Sequence, residues 1–392
     1  MLYRIFKSVV PCILLTLAIG FCYAFSLFTP HIAAAIGCSV KAVQFTFCLN
    51  IFFLGMGAAL FGPLVEKRIK SAATVSASLL VLGLVLGGLA CMYQSLWLMY
   101  LGVGVLAGIS EGCGYVTPNK NMILWFPGIK KRGILTAISI FTFGLGSALC
   151  SWLFGMLFPA LGIANTFFAL AVIYMIMSYA AAYLIDKPKY AKIKLQKQAK
   201  SPFSYIDCLK DRFFQKMWLF MFLNISMGLI LIGSCASILK ELDVTAQVII
   251  FIMILHGIFN GLGRLVFPAI GDFFKDRRHI LSLIIILEIL MTAACVVWYP
   301  LTQYMVVALV ATYGAGFATL PGILESHFGK DTLSQRHGFC LTSWGMASLM
   351  AYLCTTFILS VFSGFYPVMI LILIGFILNG LVVYSILKEK KQ

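Results

Sequence analysis

His256, Asn260 and Arg264 follow one another at four-residue spacing inside an apolar run that begins at Val248. On a helix, successive members of such a series are offset by about 40°, so an imidazole, an amide and a guanidinium share one narrow stripe. Arg264 lies ~12 Å, about eight residues at helical rise, from the charged end of that run. A charge at such depth costs roughly 2.5–3.5 kcal/mol on insertion scales, so the side chain must turn toward a partner or an aqueous cavity. Two chemistries are open. The guanidinium could bind an anion, its planar fork meeting both oxygens of a carboxylate. It could instead pair with a glutamate, such as Glu288, Glu325 or Glu111, and hold helices together.

Glu111 is the other chemistry-bearing residue deep in an apolar segment, beside the small-residue run Gly104, Gly108 and Gly112, which permits close helix packing. It could carry a proton, pair with Arg264, or donate an interhelical hydrogen bond when protonated. Lys120 lies further along the same segment, where its stem can snorkel. No nucleophile–base pair and no set of metal ligands accompanies these residues. Twelve cysteines are scattered without C-x-x-C or Cys/His spacing and read as small apolar fillers. Catalysis, a metal and a cofactor are therefore not expected. His31, His327 and His337 fall near helix ends, where a surface role fits.

The elements that must position these groups are set by composition. Apolar residues make up 61% of the chain and charged residues 11%, against roughly 25% charge in a soluble domain. Many stretches reach the ~20 apolar residues that cross a bilayer as a helix. The chain reads as an all-α integral membrane protein with twelve spans: 8–31, 42–65, 72–93, 96–118, 133–158, 164–185, 217–239, 246–271, 279–299, 302–324, 338–361 and 365–387. The first follows Arg4 and Lys7 as a signal peptide would, but its core continues to Phe28, so it is expected to remain as an uncleaved helix. Placing both termini in the cytoplasm puts 25 of the 29 lysines and arginines there, leaving Lys41 and Lys240 outside and Lys120 and Arg264 within or near helices. The net charge of +16 thus reports topology and contact with anionic lipid, not nucleic acid. The plasma (inner) membrane is the expected location, and a monomer the expected state.

The chain repeats itself. "GPLVEKRIK" (62–70) follows the second span and "PAIGDFFKDRR" (268–278) the eighth, with Glu66 and Asp272 in register at an offset of 206. "GCGYVTPNKNMILWF" (112–126) ends the fourth span and "GAGFATLPGILESHF" (314–328) the tenth, at an offset of 202. A six-helix half (1–185) and a second half (217–392) are thereby joined by a basic linker, 186–216, suited to lying along lipid headgroups. Pro118, Pro268 and Pro321 stand within or near the inner ends of spans, where kinks would help bending.

Two parallel six-helix halves with charged loops after the second and eighth spans resemble the major facilitator superfamily. Its loop reads roughly G-x-x-x-D-[RK]-x-G-R-[RK]; here the first copy has Glu66 and Lys67 and lacks the internal glycine, while the second keeps Asp272, Arg277 and Arg278. The resemblance implies that these residues take part in gating and not in substrate choice. "GFCYAFSLFTPHI" (20–32), "GYVTPNKNMILWFPGIKKRG" (114–133) and "FNGLGR" (259–264) are similar to the oxalate/formate antiporter family within that superfamily.

That likeness implies that Arg264 binds a substrate carboxylate, with Asn260 and His256 on the same stripe and Tyr23, Tyr115, Tyr313 and Phe317 as aromatic walls. The dicarboxylate carriers of the family place a lysine in the eleventh helix within a T-A-K-G-like segment. This chain reads "LTSWG" (341–345), with Trp344 at that place. One cation matches a monoanion, and an unpaired second carboxylate in a dry site costs several kcal/mol. The expected function is alternating-access transport of a small organic anion, a monocarboxylate, by exchange or with protons. The alternatives are a carrier of a drug, sugar or peptide, and a non-transporting membrane sensor on the same fold. The topology predicts that a cysteine introduced at Gln196 reacts with an impermeant maleimide only after the membrane is broken. Labelling of intact cells would overturn the orientation.

Overall fold

A computed structural model of the chain describes residues 2–126, 132–186, 188, 204–329 and 333–389. No strand occurs among them, as a bilayer demands of segments that must satisfy every backbone amide internally. Helix α1 consists of Leu2–Ile19 and Phe25–Ile36, joined by a turn of 3-10 helix at Gly20–Ala24. Helix α2 is Val40–Lys67 and α3 is Ile69–Met92. Helix α4 opens with Leu96–Met99, widens into π-helix at Tyr100–Ala107 and ends as Gly108–Trp125. A continuous stretch, Arg132–Leu184, forms α5 (132–161) and α6 (163–184). The two are divided at Gly162, whose φ of 72° is left-handed backbone that glycine adopts freely. The second half holds α7 (Arg212–Glu241), α8 (Ala246–Gly271), α9 (His279–Val297) and α10 (Thr302–Phe328). It closes with α11 (Leu333–Cys340 and Thr342–Val361) and α12 (Tyr366–Leu387). Both chain ends lie at one face, the terminal face.

The order of the expected spans holds, while several bounds move. The first span runs Tyr3–Ile36 and is broken at its centre. The break sits where a Cβ on Gly20 would collide with the Phe143 carbonyl, so α1 and α5 touch backbone to backbone. Most of the expected linker lies outside the described residues, and its end is helical. Tyr205–Lys210 forms a short helix, and α7 begins at Arg212 because the Asp211 carboxylate accepts the Phe214 amide at 2.7 Å. Pro118, Pro268 and Pro321 lie inside α4, α8 and α10.

Packing inverts the pattern of a water-soluble protein. Asn50, Glu111, Asn224, Arg264 and Glu288 are at most 2% exposed, whereas Leu60, Leu290, Leu353 and Leu381 are more than 60% exposed. Lipid tails are as apolar as leucine, so the outer surface carries no penalty and polar groups turn inward. The two halves meet chiefly where α8 lies on α5 and α11 on α2. Both seams are built on bare backbone. A Cβ on Gly144 of α5 would come 2.5 Å from the Gly261 nitrogen of α8, and one on Gly55 of α2 would come 2.5 Å from the Gly345 nitrogen of α11. Inside the second half, a Cβ on Gly263 would land on the Ala311 carbonyl of α10.

These contacts separate two kinds of damage: overpacking within a half costs ~1–3 kcal/mol in every state, whereas overpacking at the seam is relieved when the halves part. Gly263→Ala, within a half, should lower the melting temperature of the purified protein. Gly144→Ala, at the seam, should leave it nearly unchanged while slowing transport and altering the accessibility of a cysteine at Ser147. Equal melting losses in the two variants would refute the distinction.

Candidate functional site

Arg264 is wholly buried on α8, one turn beyond Asn260. Its Nε donates to the Asn260 Oδ1 at 3.0 Å, the contact that four-residue spacing provides. Among the described residues, Nη1 and Nη2 have no hydrogen-bond partner. The guanidinium is instead held between two ring faces, 5.1 Å from the Phe143 centroid of α5 and 5.2 Å from that of Phe317 on α10. Room for it comes from Gly314, where a Cβ would strike the Asn260 carbonyl and lie 3.2 Å from the Arg264 Cγ.

The aromatic residues expected from the sequence gather around this arginine, each from a different helix save for the Tyr313–Phe317 pair. Trp344 of α11 lies 4.3 Å from Phe317, 5.4 Å from Tyr115 of α4 and 6.4 Å from Tyr23 of α1, centroid to centroid. Tyr23 sits in the broken turn of α1, and its hydroxyl meets that of Tyr313 at 2.9 Å, a hydrogen bond across the two halves. Tyr313 packs on α7 at Gly228, where a side chain would occupy its ring. Phe143 closes the box edge-on to Tyr23 and Tyr115. Sequence reasoning missed it. Nothing polar marks the position, and only the seam of α5 against α8 brings it to the arginine.

The unspent hydrogen-bonding capacity here is rich in donors. Besides the two Arg264 nitrogens, the Asn260 Nδ2, the Trp344 Nε1 and the Tyr115 hydroxyl are buried without partners among the described residues, and Tyr115 lies within electrostatic range of Arg264. Donors around a fixed cation complement the oxygens of an anion. None of the glutamates considered as ion-pair partners bonds to the guanidinium. Glu111 accepts from the Asn50 Nδ2 at 3.0 Å, and Glu288 accepts from the Asn224 Nδ2 at 2.9 and 3.1 Å. His256 is buried two turns away on the same helix, neither ring nitrogen bonded to Arg264 or to any other described group.

The box is closed from both faces, its residues at most 3% exposed. Toward the face opposite the termini, a hollow between the halves is lined by hydroxyl-bearing residues including Ser26, Ser234 and Ser348. Ser348 is one turn from Trp344, and Ser26 three residues from Tyr23. Toward the terminal face, a shallow hollow within the second half involves Pro268, Thr319 and Gly322, within about a turn of Arg264 and Phe317.

The loop residues assigned to gating are distributed as follows. Asp272 pairs with Arg277 at 2.7 Å, both exposed, inside the α8–α9 loop. Arg278 is gripped by Asp276 through Nε and Nη2, and its Nη1 donates to the carbonyls of Ile386 and Glu389, capping the end of α12. These bonds stay within the second half. Lys216 of α7 pairs with Glu389 at the same corner, and that hydrogen bond holds the Glu389 carboxyl below its ordinary range. Lys67 is exposed at the end of α2, and the side chain of Glu66 lies outside the described residues.

A closed box of side chains where two half-repeats meet is an arrangement that alternating-access carriers use. The family model described as Major Facilitator Superfamily matches residues 11–236, more than half of the chain. The chain belongs to the Major Facilitator Superfamily. This facilitator is 26% identical over 354 residues to the uncharacterized MFS-type transporter YhjX of Escherichia coli (strain K12), covering 87% of this chain and 85% of that protein. It is 22% identical over 358 residues to the oxalate:formate antiporter of Oxalobacter formigenes, covering 88% of this chain and 82% of the relative. It is an integral membrane transporter, not an enzyme.

Proposed function

We propose that this facilitator moves a small monocarboxylate, bound through Arg264, by exchange or by ion-coupled transport. The observation that carries the reading is the pair of partnerless Nη nitrogens on a wholly buried guanidinium. A carboxylate accepts from both in the bidentate geometry that makes such bonds strong. Trp344 stands at the place where dicarboxylate carriers resembling this chain have a lysine, so a single cation faces the ligand and a monoanion balances it. The rings of Tyr23, Tyr115, Phe143, Phe317 and Trp344 would wall a short acyl group and exclude water. The oxalate:formate antiporter among the relatives handles one dianion and one monoanion by its printed name, and the monoanion is the better match to this box.

Alternating access follows from the same charge. With the anion bound, the guanidinium is neutralised and the box can close. Without it, closure strands a cation in a dry site, which costs several kcal/mol. Loaded crossings are thereby favoured over empty ones. We place both termini and the linker on the cytoplasmic side of the plasma membrane, on the distribution of lysine and arginine, and take the working unit to be a monomer.

The test uses purified protein in liposomes with formate, acetate, lactate, pyruvate and oxalate as the panel. Arg264→Lys keeps the charge and loses the fork, and should weaken apparent affinity by roughly tenfold, about 1.4 kcal/mol. Arg264→Gln should abolish exchange while the protein still inserts and folds. Trp344→Lys should shift preference toward oxalate. A transporting Arg264→Gln variant together with unchanged selectivity in Trp344→Lys would put the substrate elsewhere.

A further inference from the structure

Glu288 lies on α9 in the second half, and the Arg264 box makes no use of it. It is wholly buried. Both carboxylate oxygens accept from one nitrogen, the Asn224 Nδ2 of α7, at 2.9 and 3.1 Å. The Thr312 hydroxyl of α10 lies beside it, and among the described residues no lysine or arginine pairs with it. An ionised carboxylate offers about four acceptor sites and survives burial only when donors or a cation meet them. A single side-chain amide is a thin supply.

Polar atoms without partners surround this carboxylate. The Asn224 Oδ1 is buried with no partner among the described residues, and it faces bare backbone, since a Cβ on Gly316 of α10 would come within 2.8 Å of it. Thr292, one turn from Glu288 on α9, is wholly buried, and among the described residues its hydroxyl has no partner. Asn379 of α12 is wholly buried as well, and neither end of its amide has a partner among the described residues. Register brings it to the same level. A Cβ on Gly375 of α12 would run into the Met227 sulfur of α7, and one on Gly380 would lie 3.4 Å from Ile285 and 3.7 Å from Ile289 of α9. Lys216, near the start of α7, reaches the Ser385 carbonyl near the end of α12 at 3.3 Å, so these two helices run antiparallel. One turn beyond Gly375, Asn379 therefore stands opposite Asn224, and its other neighbour is the turn of α9 that carries Glu288.

We infer that this cluster is a binding site for one alkali-metal cation, held inside the second half and apart from the seam between the halves. Six oxygens can meet there, two from Glu288 and one each from Asn224, Asn379, Thr292 and Thr312. All are hard donors, which suit alkali and alkaline-earth ions better than zinc or copper. The single carboxylate supplies one negative charge, so a monovalent ion leaves the buried site neutral. The Asn379 amide can turn its oxygen to the ion without breaking a bond. The set holds no cysteine or histidine, so ligand spacing in the sequence does not announce it. A bound ion would tie α7, α9, α10 and α12 together. Thr312 and Gly316 directly precede Tyr313 and Phe317, so α10, the helix it fastens, presents two walls of the Arg264 box.

The experiment is a set of melting curves of the purified protein with sodium as the probe. Sodium chloride replaces N-methylglucamine chloride at constant ionic strength, so that screening does not change. The wild-type melting temperature should rise as sodium replaces the organic cation, because a ligand of the folded state stabilises it. Glu288→Gln should melt at the same temperature in both salts. Asn379→Leu separates binding from packing. Leucine removes two partnerless polar atoms, so the melting temperature without sodium should not fall, while the apparent sodium affinity should weaken by at least about tenfold. A wild-type melting temperature indifferent to sodium would overturn the inference, as would a sodium-dependent rise that survives Glu288→Gln. Should that variant fail to fold, an unchanged sodium dependence in Asn379→Leu would overturn it instead.

Discussion

The guanidinium of Arg264, buried with one neutral side-chain acceptor and no counter-charge, is the constraint to which the surrounding structure answers. A cation in a low-dielectric interior is held only by what can be brought to it. The chain brings ring faces from α5 and α10, an amide from its own helix, and a bare glycine on α10 so that the stem can pass. Cation–π contacts worth ~0.5–2 kcal/mol each orient the group without neutralising it. The charge stays available to a ligand, and a site that would pair it internally could not do this chemistry.

The remainder of the molecule keeps that site closed yet able to open. Seams at Gly144/Gly261 and Gly55/Gly345 bring the halves into backbone contact without long side chains to unlock. The Tyr23–Tyr313 bond joins the halves at the box itself, and a single neutral hydrogen bond contributes only ~1 kcal/mol, little enough to break in each cycle. By contrast, the corner formed by Arg278, Asp276, Lys216 and Glu389 ties α7, the α8–α9 loop and α12 within one half. It stiffens that end of the second half.

Much of this was legible in the sequence. Apolar runs long enough to span a bilayer can form little but helices there, so the order of twelve segments follows from composition. Arg264 announced itself because intramembrane charge is costly, and the motifs around Tyr23, Tyr115, Tyr313 and Trp344 marked residues that the fold does gather. What escaped depends on neighbours distant in the chain. Phe143 is one apolar residue among many until α5 meets α8. The break at Gly20–Ala24 and the widened turn at Tyr100–Ala107 arise where helices press on one another or where Asn50 takes up a carbonyl, and neither leaves a mark in hydropathy. The capping of α12 by Arg278, a contact more than a hundred residues away, is likewise invisible in its motif. His256 shares the Arg264 stripe, yet two turns of helix keep it from the guanidinium.

The most direct measurement of the central claim is the melting temperature of the purified protein with acetate and with acetamide, its neutral counterpart of nearly the same shape. A ligand that binds only the folded protein adds ~2.7 kcal/mol of stability at a hundred times its dissociation constant. The account predicts that acetate or another panel monocarboxylate raises the melting temperature, that acetamide does not, and that Arg264→Gln abolishes the rise. Equal stabilisation by the neutral amide, or a rise that survives Arg264→Gln, would contradict it.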